Sequence, residues 1–336
     1  MSFKTQRNQE SLACFNAAEA LKKQGSLADA IEKYKTAIEL DPTFAEAHVN
    51  LGNVLKQGHD MESAKICYQN AIAINPSLAL AHYNLGNVLQ SIGDLEAAES
   101  SFDKVLSLNP ELVEAWNSKG AVLYKKTDFN QAIQCFQTAI EMRSDYCAAH
   151  NNLGLVLRDV GKTTDAISKF RESIALNPHF PDAHYNLAIA LVAEGLWSDA
   201  VECFGTVIEL LEGLGLADSY QCKLSVAKQL EGFYRLGLIK DFKIALEKAK
   251  GNSDTNLEVA SISAFVAHQL SWKDYYPFCA NPLDFFNVGH LSTHVADVAQ
   301  FRKDLITEME SKNPEWEPKD KATISGYQTS GNLFHS

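Results

Sequence analysis

Nine residues, Ala81-His-Tyr-Asn-Leu-Gly-Asn-Val-Leu89, recur along the chain at a fixed interval in both directions. Thirty-four residues earlier stands Ala47-His-Val-Asn-Leu-Gly-Asn-Val-Leu55. Steps of 34 in the other direction give Ala115-Trp-Asn-Ser-Lys-Gly-Ala-Val-Leu123, Ala149-His-Asn-Asn-Leu-Gly-Leu-Val-Leu157 and Ala183-His-Tyr-Asn-Leu-Ala-Ile-Ala-Leu191. A sequence that repeats at this length without insertion folds as stacked copies of one supersecondary unit, each burying a face against the next. The two-domain expectation that 336 residues would otherwise carry is thereby removed for the repeated part.

With the first unit beginning at Ser11, six units fall at 11–44, 45–78, 79–112, 113–146, 147–180 and 181–214. The array is expected to end near residue 212, with residues 1–10 as an N-terminal extension. Each unit carries a small residue (Ala30, Ala64, Ala98, Ala132, Ala166 or Ala200) and, four residues on, an aromatic one (Tyr34, Tyr68, Phe102, Phe136, Phe170 or Phe204). Small residues let two antiparallel helices approach closely, and the aromatic fills the gap to the neighbouring unit. Gly25, Gly93, Gly161 and Gly195 sit between the two helices of their units, where a left-handed backbone conformation is easily reached. Pro42, Pro76, Pro110 and Pro178 close four units, with Ser144 and Glu212 in the other two. Proline cannot continue a helix and resets the chain for the next unit.

A period of 34 with these phases resembles the tetratricopeptide repeat, a helix-turn-helix unit. The resemblance covers about residues 11–212 and implies an all-α solenoid, a right-handed superhelix whose concave groove is lined by the first helix of each unit. Residues 213–272 lose the period but keep helical patterning, with Leu224, Ala227, Leu230, Phe233 and Tyr234 on one face. They are expected to form a helical cap on the open end of the array.

One phase of the first helix stands out. Asn16, Asn50, Asn84, Asn152 and Asn186 occupy it, with Ser118 in the remaining unit. An asparagine side chain both donates and accepts, which suits the amide backbone of an extended peptide without selecting its side chains. Asn53 and Asn87 lie three residues beyond and widen the polar strip. Tyr83, Asn117, Asn151 and Tyr185 lie one residue before it, the tyrosines suiting apolar side chains of a ligand. The pattern is similar to the asparagine ladder of O-linked N-acetylglucosamine transferases, and the resemblance implies peptide recognition along the groove. The competing reading makes these asparagines a habit of a solvated face. A two-carboxylate clamp for a free C-terminus is not expected. The phases that would supply its cations hold Phe15, Val49, Tyr83, Asn117, Asn151 and Tyr185, with Glu46, Glu114 and Asp182 nearby.

Four histidines, His48, His82, His150 and His184, share another phase. Successive units stack roughly 10 Å apart while the ligands of one ion converge within about 2 Å, so no metal site is expected from them. They stand where the family has tryptophan, a position at which Trp116 survives, and are expected to serve helix packing. Seven cysteines without a Cys-x-x-Cys pair point neither to a disulfide framework nor to zinc.

Residues 273–336 read as the start of a second domain, a short incomplete α/β or β tail with a strand over 284–288 and a helix over 295–311. Asn281-Pro-Leu-Asp-Phe-Phe, Trp316-Glu-Pro, Gly326-Tyr-Gln-Thr and Asn332-Leu-Phe are similar to the opening of 2-oxoglutarate and iron(II) dependent oxygenases that follow tetratricopeptide arrays. That family's iron site uses His-x-Asp and a later His. No His-x-Asp occurs in this chain, and His290 and His294 receive no iron-binding role. The tail is expected to be truncated, so that Fe(II) and 2-oxoglutarate enter only if a complete oxygenase domain follows.

The net charge of −12 disfavours nucleic acid and anionic membranes as partners. With no apolar leader and no long apolar run, the chain reads as cytoplasmic. No Gly-rich phosphate loop or nucleophile constellation is found, and Asp94 and Asp128 read as turn residues. The leading expectation is therefore a scaffold that binds extended protein or peptide segments in its groove. Two alternatives remain open: the substrate-recruiting part of a repeat-linked oxygenase, and an arm working with a glycosyltransferase.

Overall fold

The structure, a computed structural model, describes residues 3–252 together with Val259, Ile262, Ser263 and Val266. Among the described residues there are fourteen α-helices and no strand, so the all-α expectation holds for the array. In order they are α1 (Phe3–Lys23), α2 (Leu27–Leu40), α3 (Ala45–Gln57), α4 (Met61–Ile74), α5 (Ala79–Ile92), α6 (Leu95–Leu108) and α7 (Val113–Lys125). There follow α8 (Phe129–Met142), α9 (Cys147–Asp159), α10 (Thr163–Leu176), α11 (Pro181–Ala193), α12 (Trp197–Gly213), α13 (Tyr220–Arg235) and α14 (Ile239–Asn252). The chain divides into two compact parts, Met1–Leu176 and Asn177–Ser336. The expected tail over 273–336 lies outside the described residues, as does most of the expected cap beyond Asn252.

In the first part the helices pair as antiparallel hairpins, α1 with α2 through α9 with α10. The expected N-terminal extension is the front of α1, which runs unbroken from Phe3 to Lys23. Arg7 Nη2 donates to the Glu39 carbonyl at 3.1 Å, and Ser11 Oγ to that of Ala37 at 2.8 Å. These are carbonyls of the last turn of α2, where that of Ala37 also accepts from the Asp41 N–H at 2.9 Å.

Each hairpin turns through one residue of positive φ. Gly25, Gly93 and Gly161 serve at 80°, 87° and 81°, but His59 and Thr127 serve the second and fourth hairpins, both at 63°. Directly after these turns Asp60, Asp94 and Asp128 accept from the backbone N–H groups of Ser63, Ala97 and Gln131, capping α4, α6 and α8.

The six alanines and the six aromatics of the repeat are all buried. Four of the six rings also lie against a glycine of their own first helix, not only towards the next repeat. A Cβ placed on Gly52, Gly86, Gly120 or Gly154 would stand 2.7, 2.9, 2.7 or 2.6 Å from the ring of Tyr68, Phe102, Phe136 or Phe170. The cores run on between repeats: Tyr68 and Ala71 of α4 pack with Ala81, Leu85 and Val88 of α5.

In the second part α11 and α12 form a hairpin of the same kind, turning at Gly195 with φ 75°. Helix α12 packs onto α13 through Val207, Ile208, Leu211 and Cys222. Helices α13 and α14 make a further hairpin that turns at Gly237 with φ 70°. The fourth residue of α14 is Phe242, where α2, α4, α6, α8, α10 and α12 all have alanine. Phe242 and Leu246 bury themselves with Ala227 and Leu230 against Val259, Ile262 and Val266. Glu231 of α13 is also buried, ion-paired with Lys228 at 2.9 Å and Arg235 at 2.7 Å, and Arg235 stacks over Trp197 of α12 at 4.7 Å.

Candidate functional site

In the first part the first helices of successive hairpins touch, α3 with α5, α5 with α7 and α7 with α9. The asparagine phase runs along one stripe of each first helix. On α3 the stripe is Glu46, Asn50, Asn53 and Gln57, all half-buried or exposed at a spacing that keeps them on one face. On α5 it is Leu80, Asn84, Asn87 and Ser91.

Within the stripe the asparagines differ in what they have left to offer. Asn16 on α1 is exposed. Asn50 donates through Nδ2 to Glu19 Oε1 at 2.9 Å, Asn84 to Asn53 Oδ1 at 3.0 Å and Asn152 to Asn117 Oδ1 at 3.0 Å. Each of these three bonds reaches back to the first helix of the preceding hairpin. Asn84 retains only 7% of its surface. Ser118 is half-buried, its Oγ 3.4 Å from the Tyr83 hydroxyl. Asn186, in the second part, is half-buried on α11.

Two acceptors in this network, Glu19 and Asn53, are shared. Glu19 also accepts from the Tyr34 hydroxyl, and Asn53 from that of Tyr68 at 2.8 Å. Burial pushes the Glu19 carboxyl up, but its bonds with Lys22 and Tyr34 outweigh this and hold it below the ordinary 4.5. Sequence reading had no place for Glu19 or for the two hydroxyls. The available signal was that the aromatic phase is tyrosine in the first two repeats alone, where position three past the ladder is Glu19 or Asn53.

The phase one residue before the ladder turns into helix packing. Tyr83 meets Phe102 edge-on with centroids 5.8 Å apart, and Tyr185 meets Phe204 likewise at 6.1 Å. Asn151 is only 4% exposed and Asn117 is half-buried. A position one residue away on a helix is rotated by about 100°, which takes these side chains off the open stripe and towards the neighbouring hairpin.

The histidines serve packing, as expected. Nε2 of His82, His150 and His184 lies 3.0 Å from the backbone carbonyl six residues back, that of Pro76, Ser144 or Pro178. Trp116 Nε1 donates to the Pro110 carbonyl in the same way at 2.9 Å. Among the described residues no group of three metal-ligating side chains converges. The thiols of Cys67 and Cys135 are pushed up by burial to about 11, which leaves them protonated and unreactive at neutral pH. No described helix is long and apolar enough to cross a membrane.

Paired helices repeating every 34 residues, with one polar stripe per first helix, define a helical-repeat protein. Residues 18–58, 61–93 and 154–195 match the family profile described as TPR repeat, and residues 79–112 and 118–172 match two profiles described as tetratricopeptide repeat. The chain belongs to the tetratricopeptide repeat family. Among solved structures it is similar to PilF of Pseudomonas aeruginosa, at 22% identity over 66% of this chain and 97% of that one, with a TM-score of 0.55. It is similar also to PilW, described as a widely conserved type IV pilus biogenesis factor, at 20% identity over 65% and 97% with a TM-score of 0.56. A third, YrrB, described as a TPR protein with an unusual peptide-binding site, shares 26% identity over 55% and 95% at a TM-score of 0.43. No curated protein matches the chain. The likenesses to PilF and PilW speak for the fold. The stretch read as an oxygenase opening lies outside the described residues.

Proposed function

We propose that this protein is a non-catalytic scaffold that holds an extended segment of a partner protein on the face formed by its first helices. One observation carries the reading: adjacent first helices α3, α5, α7 and α9 touch one another, and their stripes join amide, hydroxyl and carboxylate groups into one polar strip. Such a strip can satisfy the backbone of an extended chain, whose N–H and C=O groups must be paired once taken from water. The asparagine ladder belongs to this reading in a narrower form, because Asn50, Asn84 and Asn152 each spend one donor on the preceding hairpin. Their remaining capacity, with that of Asn16 and Ser118, is what a ligand would meet. A peptide or protein partner suits the acidic chain better than nucleic acid or an anionic membrane.

The test places a photo-crosslinking p-benzoylphenylalanine at Gln57 on the stripe of α3, and separately at Thr138, half-buried on the second helix α8. In cell lysate the Gln57 position should capture a protein that the Thr138 position does not. Capture from Thr138 alone would move the binding face to the second helices.

A further inference from the structure

We infer that Asn87 is the residue that grips the backbone of the bound segment, and that Ala121 and Leu155, on the two first helices that follow, select an aliphatic side chain. The inference rests on the peptide-binding reading above and names which side chains of the strip do the recognising. Three residues past the ladder, α1 and α3 place Glu19 and Asn53, and both are already engaged. Each accepts from the tyrosine hydroxyl of its own hairpin and from the ladder asparagine of the next.

Asn87 occupies the same phase on α5 and lacks both partners. Its hairpin carries Phe102, which has no hydroxyl, and the next ladder position is Ser118, whose Oγ turns to Tyr83. The Asn87 side chain is half-buried on the open stripe and bonds to no other described residue. A carboxamide so placed presents two N–H donors and a carbonyl, and can pair with the C=O and N–H of one extended residue at once. Fixed at the middle of five hairpins, it can engage a chain that runs to either side.

From the next helix onward the same phase becomes apolar. It is Ala121 on α7 and Leu155 on α9, both half-buried, and α7 touches α9. At this one phase a segment gripped over α5 therefore meets polar groups over α1 and α3 and aliphatic ones over α7 and α9, where Ser118 and Asn152 keep the neighbouring ladder phase polar. Neighbouring helices lie roughly 9 Å apart and an extended chain rises about 3.3 Å per residue, so a ligand side chain about three residues from the gripped one falls over Ala121 and one about five to six residues away over Leu155. The occupant is thus an extended peptide with small or polar residues on one side of the grip and an aliphatic residue about three to six positions away on the other.

Random dodecapeptides displayed on phage, selected against the full chain, give the probe. An enriched sequence, synthesised with a fluorophore, is then titrated against the wild type and against Asn87→Ala, Asn84→Ala and Leu155→Lys, with melting temperature measured for each. The enriched peptides should share an aliphatic position. Asn87→Ala should weaken binding about tenfold at an unchanged melting temperature, the value of one paired backbone contact. Leu155→Lys should erase the aliphatic preference, and Asn84→Ala should lower the melting temperature, since it removes the nearly buried bond from Asn84 to Asn53. Wild-type affinity in Asn87→Ala would overturn the grip while leaving the binding face in place. Should the wild type enrich no peptide, the binding face and the grip fall together.

Discussion

The residues that do most to fix this chain do so through single, repeated contacts. A ring N–H at one phase reaches the carbonyl six residues back, and imidazole serves at His82, His150 and His184 as indole does at Trp116. His48 bonds the backbone of Pro42 in the same manner. Burial holds His48 below the ordinary imidazole value of 6.5, although that backbone bond pulls the other way. The folded chain therefore resists a proton that the unfolded chain accepts. The contribution of His48 to stability is complete above pH 6.5 and is lost as the pH falls below it. His48→Trp removes the titration and keeps an N–H for Pro42, so between pH 7 and pH 5 its melting temperature should fall less than that of the wild type. Thr127 is a second such residue. It turns the fourth hairpin at φ 63°, where a β-branched side chain is strained. Thr127→Gly should stabilise the protein by about 1 kcal/mol, read as a higher melting temperature, with a smaller gain for His59→Gly. Of these features, the histidines' packing role and the turn glycines were legible in the sequence. The strain at His59 and Thr127 was not, because glycine's absence from a turn phase leaves open whether the turn relaxes or the residue gives way.

At the scale of the hairpin, the contact that sets helix separation is glycine on the first helix against the aromatic ring of the second. The first and sixth repeats already have Ala18 and Ala188 at this phase, both fully buried, so one methyl can be housed once the ring shifts. Gly120→Ala should accordingly stay near the wild type, the added helix propensity offsetting the crowding of Phe136. Gly120→Val has no such outlet. It should cost about 2 kcal/mol and lower the melting temperature clearly. The helical hairpin and its phases could be read from a period of 34, since a repeat tests each assignment several times over, whereas the N-caps Asp94 and Asp128 read only as turn residues. The hairpin of α13 and α14 could not. Phe242 stands at the phase that alanine holds elsewhere, so the large and small residues that mark the motif are out of place although the turn at Gly237 is retained. The bonds among Glu19, Tyr34 and Asn50 were hidden for another reason. They join residues 15 and 31 positions apart, and their existence depends on a hydroxyl that four of the six aromatics lack.

For the molecule as a whole, family membership settles the architecture and leaves the ligand to the surface chemistry of one strip. An array of this kind is held by contacts between neighbours, with the first part built from five hairpins in sequence order. Distant repeats lend each other nothing directly. The consequence is mechanical. Stretched between its ends in an optical trap, such an array should not rupture in one event but lengthen in a staircase, each tread releasing roughly 11 nm as 34 residues are drawn out to full extension. The protein would then respond to load as a spring that yields one coil at a time, able to lengthen under tension while the remaining coils keep their grip.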